Sequence, residues 1–383
     1  MKLLKVVANG YKNCDKNLTI SFVPTAQKSL ADKEFELLEI GDGLFTFSTV
    51  GIVGKNASGK TTIVELLSIV YDILSYCKLD KVSSSALKYV DSSFNLDITF
   101  YNDGYLYRYM TDVEKTNSLV NSDNINFIFT NERIYERQYF KSNVSKIFDY
   151  DSYVLKEYEV VNKPEEISLL YTMFKQRQYR GIYYSCNDYE NLNYNFAFDL
   201  FKIIDDKLDI VFPLIQMFDE NIINIKMLAE DKYEIIFKNL NSKIVSKYEL
   251  HEILSSGTSK GITLMSYVIF ALKVGADIII DEVENHFHKT LVENLINLFK
   301  DKTVNKNNST LIITTHYCEL LDLFGRSDNI YIAHNDGKII LENMHEKYPT
   351  RSELLKSKKY YNNYFGTNVK YDSLMNFKKE LMK

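Results

Sequence analysis

Apolar residues recur along this chain in two rhythms, and each predicts its own elements. Alternating or short continuous apolar runs predict strands at 3–8, 18–23, 35–40 and 44–53, the last leading straight into a glycine-containing loop. From 60 to 76 the residues Ile63, Leu66, Leu67, Val70, Ile73 and Leu74 fall at three- and four-residue spacing, which predicts a helix with one apolar face. Strands at 94–100 and 105–110 flank Asn102-Asp103-Gly104, a good hairpin turn, and a further strand is expected at 126–130.

The middle of the chain, from about 140 to 218, is rich in Tyr, Asn and Lys. It has helix-like spacing at 165–177 and 194–218 but no chemical motif. Strands resume at 223–228, 233–238 and 243–250. The last third then alternates: helix 256–273, strand 277–280, helix 289–300, strand 310–315, short helix 318–324, and strands 329–333 and 338–341 around Asn335-Asp336-Gly337. Such alternation predicts an α/β architecture, a mostly parallel sheet with helices on its faces.

Composition narrows the picture. With 383 residues, 45% of them apolar, and only 14 Gly and 4 Pro, the chain can bury a full core. A net charge of −5 argues against a protein coated in basic surface for nucleic acid, although it leaves room for a local groove. The basic clusters at 300–306 and at Lys356, Lys358 and Lys359 read as solvated faces. Cys14, Cys77, Cys186 and Cys318 form no Cys-x-x-Cys pair, so zinc is not indicated, and scattered thiols suit a reducing cytoplasm. The N-terminal apolar run is too short for a signal peptide. The apolar stretch 261–280 carries Thr263, Ser266, Lys273, Gly275 and Asp277, so it reads as a buried helix followed by a buried strand and not as a membrane span.

Three segments carry chemistry. Gly54-Lys55-Asn56-Ala57-Ser58-Gly59-Lys60-Thr61 meets every position of G-x-x-x-x-G-K-[ST], between a strand and a helix. Gly54 and Gly59 allow a tight turn whose N–H groups, with those of Asn56, Ser58 and Thr62, can cradle phosphate oxygens. Lys60 would reach the β- and γ-phosphates of ATP, and the Thr61 hydroxyl would ligate Mg²⁺. The buried strand 276–280 ends in Asp281 and Glu282. Asp281 is placed to hold Mg²⁺ through its water shell, and Glu282 to orient and deprotonate the attacking water. Leu254-Ser255-Ser256-Gly257-Thr258-Ser259 opens the 256–273 helix, so its small hydroxyl residues form a second anion-binding helix start. His286 and His288 lack a third ligand and are not read as a metal site.

In order, the phosphate loop, Leu254-Ser255-Ser256-Gly257-Thr258, the acidic strand end and Thr314-Thr315-His316 resemble the ABC ATPase superfamily. The wording 54–62 and Asp281-Glu282-Val283-Glu284-Asn285-His286-Phe287-His288 is most similar to the SMC/RecF-like and OLD-type branch found in DNA repair and bacterial anti-phage systems. The ending, with Arg351 and 361–366, resembles its defence-associated members.

The resemblance covers about 1–135 and 220–370. It implies a P-loop NTPase with an ABC-type head, a mostly parallel central sheet plus an antiparallel β-subdomain, and a helical insertion. The expected divisions are 1–139, 140–220 and 221–383. The resemblance also implies that Ser255, with Ser256 and Gly257, contacts the γ-phosphate held by the opposite subunit. His316 would then be the switch histidine that contacts it in cis.

A homodimer or higher even-numbered oligomer follows, and Gln138 is the candidate Q-loop residue. The segment after Glu282 lacks the Pro-x-x-x-Leu-Asp wording of transporters, which points away from a membrane partner. The stretch after His316 is too short for a Toprim nuclease domain as well as the closing strands, so a nuclease or toxin activity is expected in a separate effector protein. The competing reading is a RecF-like protein that binds DNA directly.

Overall fold

A computed structural model describes residues 1–79, 84–117, 125–158, 163–174, 178, 180–185, 211–229, 232–285, 287–348, 355–366 and 371–382. The helical expectation at 194–210, as well as Cys186, His286 and Arg351, lies outside the described residues.

Two six-stranded sheets enclose the helix Lys60–Tyr76. One sheet is antiparallel, ordered Leu18–Ser21, Lys2–Asn9, Ser93–Asn102, Tyr105–Asn117, Ile125–Gln138, Val154–Leu155. The central sheet runs Gly181–Ser185, Asp277–Asp281, Leu311–Thr315, Thr49–Val53, Ile330–Asn335, Ile339–Asn343, and only its last strand is antiparallel. Because the helix has a sheet on either side, its apolar residues occupy more than the single face read from periodicity. Val64 and Ile69 are as fully buried as Ile63, Leu66 and Val70. Each such side chain contributes about 1.5–3 kcal/mol of burial. The opposite face of the central sheet, with Ile278, Ile280, Leu311 and Ile313, packs on helices Ser256–Val274 and Lys289–Lys300 through Leu264, Val268, Ile296 and Phe299.

The parallel register matters most for function. Thr49–Val53, Asp277–Asp281 and Leu311–Thr315 end on the same edge, so the loops leaving them converge there. Ligands of open α/β sheets bind at that edge.

A smaller three-stranded sheet, Ile222–Ala229, Lys232–Phe237 and Lys243–Ser246, packs on the helix Val211–Phe218 through Ile215, Tyr233 and Ile235.

Several boundaries differ from the sequence reading. The strand expected at 44–53 is two. Leu44–Phe47 pairs with Leu37–Gly41, whereas Thr49–Val53 joins the central sheet. Ser48 is the joint, bonding Glu36 O through its N–H and accepting from Leu311 N. The first part of 35–40 belongs to a π-turn, Asp32–Glu36, because the Glu36 carboxylate turns inward to the buried Lys300 ammonium at 2.5 Å. The strand expected at 243–250 stops at Ser246, which caps helix Lys247–Ile253 in a reciprocal box with Glu249. At 165–177 the described residues hold only a 3-10 turn, Leu169–Thr172, tied to the hairpin by Leu169 N–H donating to Glu132 at 2.6 Å. The span 140–220 also supplies Gly181–Ser185 to the central sheet, a strand that the sequence reading did not find.

Candidate functional site

The phosphate loop turns where its glycines permit. Gly59 sits at φ +95°, and a Cβ there would lie 2.6 Å from Ile339. A Cβ on Gly54 would lie 2.5 Å from Ser58 Oγ and 2.6 Å from Ala333 O. A side chain at Gly54 would collide with backbone, and one at Gly59 would be strained and would displace Ile339. Asn335 Nδ2 donates to Ala57 O at 3.1 Å, so the turn after Ile330–Asn335 braces the loop from outside. The Ser58 hydroxyl is buried with no hydrogen-bond partner among the described residues.

Lys60 is buried and donates to Gly54 O at 3.0 Å and Lys55 O at 3.1 Å. Burial pulls its ammonium below the usual lysine range, while Glu282, Glu284 and Asp281 partly offset that shift. Thr61 Oγ1 donates to Asp281 Oδ2 at 2.9 Å, which joins the helix start to the acidic strand end. Thr314 Oγ1 donates to Asp281 Oδ1 at 2.5 Å and accepts from Glu282 N at 2.7 Å. Asp281 is buried, and desolvation raises its carboxyl above the ordinary range against the lowering effect of the two threonine hydroxyls.

Glu282 occupies the left-handed region at φ +49°, an uncommon conformation for a residue with a side chain and one that gathers at functional sites. Asn285 Nδ2 holds its Oε2 at 2.5 Å, and its Oε1 lies 3.6 Å from His316 Nε2. His316 Nδ1 is 3.2 Å from Lys60 Nζ and 3.1 Å from Gly54 O. Nδ1 can serve only one of these at a time. Accepting from the ammonium leaves the ring proton on Nε2, facing Glu282.

Together Asn56, Ser58, Gly59, Lys60, Thr61, Thr62, Glu282 and His316 line a cavity of about 300 Å³. Asn13, Asn335 and Ile339 close it, brought in by the Ile339 N–H bond to Asn13 O. The donor set suits a phosphate chain with a divalent ion. It offers an unpartnered buried hydroxyl and a cradle closed to any Cβ, and the oxygens of Thr61 and Asp281 touch.

A family model described as "AAA domain, putative AbiEii toxin, Type IV TA system" matches residues 50–322, well over half of the chain. The chain belongs to this family. Membership makes it an AAA-domain protein, and the match spans the phosphate loop, the serine loop, the acidic strand end and His316.

Among solved structures, the SMC head domain from Thermotoga maritima is similar at 12% identity and TM-score 0.40, covering 90% of this chain and 99% of that one. An SMC head bound to the C-winged helix domain of ScpA gives 16% and 0.41, again over 90% and 99%. The cbiO1 protein from Clostridium perfringens, part of the ABC transporter complex cbiONQ, gives 12% and 0.30 over 95% of each chain. Among curated proteins none matches. Among the described residues no helix is long and apolar enough to cross a membrane.

The serine loop stands apart from the cavity. Ser255 is exposed and caps helix Ser256–Val274, accepting from Thr258 N at 3.0 Å, and neither it nor Gly257 lines the cavity. Gln138 ends a strand paired with Tyr105 and also lies off the cavity. His288 caps Lys289–Lys300, accepting from Thr290 N through Nδ1.

Sequence reading assigned no role to Thr314, Glu284, Asn285, Asn13 or Asn335. Thr314 adjoins the Thr315-His316 pair and could have been suspected. Asn13 and Asn335 arrive from distant turns without a local signal.

Proposed function

We propose that the chain binds ATP with Mg²⁺, hydrolyses it, and completes each site only when two copies pair head to tail. In the bound state Lys60, the loop N–H groups and Ser58 hold the phosphates. Thr61 and Asp281 would hold Mg²⁺, which would supply positive charge against the phosphates. Glu282 takes the proton of the attacking water, oriented by Asn285, and His316 donates to the terminal phosphate. One observation carries the reading. A single cavity gathers Ser58, Lys60, Thr61, Glu282 and His316, with Asp281 bonded to Thr61 behind it, while Ser255 sits exposed at a helix start outside it. A helix N-terminus with a hydroxyl cap suits an anion delivered from elsewhere, here the γ-phosphate on a second copy.

The biological setting we infer is a cytoplasmic ATPase subunit of a bacterial anti-phage defence system that controls a separate nuclease or toxin effector. The family description, with its putative toxin of a toxin–antitoxin system, supports such a setting.

Mixing Lys60→Ala with Ser255→Arg protomers tests the shared site. Each alone should be inactive, whereas the mixture should regain turnover through one intact site per mixed dimer. Absence of recovery at every ratio would count against pairing. Salt-dependent binding of DNA by the purified chain alone would move the setting to DNA repair.

A further inference from the structure

Three groups hold the acidic turn after Asp281 in place, and two of them act on Glu282: the Thr314 hydroxyl on its N–H and Asn285 on its carboxylate. The third involves Glu284. The positive φ of Glu282 redirects the 3-10 turn Val283–Asn285, so that the two glutamates diverge. Glu282 stays part-exposed in the cavity, whereas Glu284 is only 9% exposed and lies outside the cavity lining. Its Oε1 accepts from the backbone N–H of His316, and its Oε2 is buried without a hydrogen-bond partner among the described residues.

A carboxylate buried with half its acceptors unmet is costly, and an apolar residue would suit a 3-10 turn packed beside Val283 better. Its one bond goes to the peptide that carries the cavity histidine. The His316 ring has little else to fix it: Nδ1 is shared between Lys60 and Gly54, and Nε2 stands 3.6 Å from Glu282.

We propose that Glu284 is a positioning residue for His316, clamping the Thr315–His316 peptide so that the imidazole is held between the phosphate loop and Glu282. The role rests on the ATPase reading of this site. It also ties two strand ends together, because the residue that sets His316 belongs to the same turn as the water-activating Glu282. A shift of one strand end is thereby transmitted to the other.

Two readouts separate positioning from general support. In nucleotide-free protein at fixed pH, amide hydrogen exchange at His316, followed by NMR, should accelerate at least ~10-fold in Glu284→Ala and stay within ~3-fold in Glu284→Gln, which keeps an acceptor. Glu284→Asp retains the charge but falls one methylene short, so it should behave like the alanine variant and serves if that variant does not fold.

In turnover, Glu284→Asp and Glu284→Ala should lose about 30-fold in kcat with ATP affinity within ~3-fold, and added to His316→Ala they should cost less than ~2-fold more. Unchanged exchange at His316 in both variants, or fully additive losses with His316→Ala, would overturn the assignment. Absence of ATPase activity in the wild-type chain would sink the ATPase reading, while the exchange experiment would still decide the clamp.

Discussion

The phosphate cavity and the serine loop are both built at helix starts, yet they are held very differently. At the cavity, Lys60 and Asp281 are buried, and hydrogen bonds run from Thr61 through Asp281 and Thr314 to Glu282 before any ligand arrives. At the serine loop, Ser255 is exposed and its hydroxyl is occupied only with its own helix, through Thr258. The first region is organised by the parallel sheet, which gathers its polar groups at one edge in the ligand-free protein. The second is a cap that works locally and has a free solvent side. The chain thus carries a gathered phosphate cavity and a separate exposed cap, the division that the pairing proposed above requires.

The sharpest way to break this contrast is nucleotide titration. Lys60→Ala should weaken ATP binding by at least ~100-fold, whereas Ser255→Arg should leave binding within ~3-fold and abolish turnover. Equal loss of binding in the two variants would erase the distinction.

Next in size is Glu282→Gln. It should slow hydrolysis by about 10²–10³-fold while retaining ATP, and paired molecules should accumulate in light scattering. Turnover at the wild-type rate would remove Glu282 as the base.

The pH response sharpens the cavity side. Asp281 is raised by desolvation, so protons compete with Mg²⁺ for it above the ordinary carboxylate range. Mg²⁺-dependent ATP affinity should therefore fall earlier on acidification than an unperturbed aspartate would give. Because the folded pKa lies above the unfolded one, the fold favours the protonated form. The ionised carboxylate accordingly destabilises the ligand-free protein at neutral pH, and that penalty vanishes below the unfolded pKa. Asp281→Asn should then raise the Tm of the nucleotide-free protein, on the order of 2 °C, while removing the Mg²⁺ dependence of binding. A lower Tm would mean that the two threonine bonds outweigh desolvation.

The smallest effect belongs to the cap. Ser255→Ala should cost about 1 kcal/mol of stability, read from denaturant midpoints, because only one helix N–H loses its acceptor.

Much of the cavity was legible in the sequence because its residues are local. The phosphate loop, Asp281-Glu282 and His316 each lie at a strand end, and strand ends show in the apolar rhythm. The helices Ser256–Val274 and Lys289–Lys300 were legible for the same reason. The break at Ser48 was not, because Leu44–Phe47 and Thr49–Val53 are both buried along their whole length and read as one apolar run. The strand Gly181–Ser185 escaped notice because only its parallel pairing with Asp277–Asp281 makes it a strand, and pairing partners at that sequence separation leave no local pattern. The helix Lys247–Ile253 starts at Ser246-x-x-Glu249, a local capping box that sets its boundary with the strand Lys243–Ser246.

What the sequence determined by itself is the chemistry: which residues can cradle phosphate, hold a divalent ion or take a proton, since these follow from residue type and spacing within a few turns of chain. Only the tertiary structure decided how those segments face one another. The parallel sheet aligned three strand ends on one edge, folded Glu284 under His316 and left Ser255 outside. Such juxtapositions are set by register and packing across long separations, where no single segment carries the information.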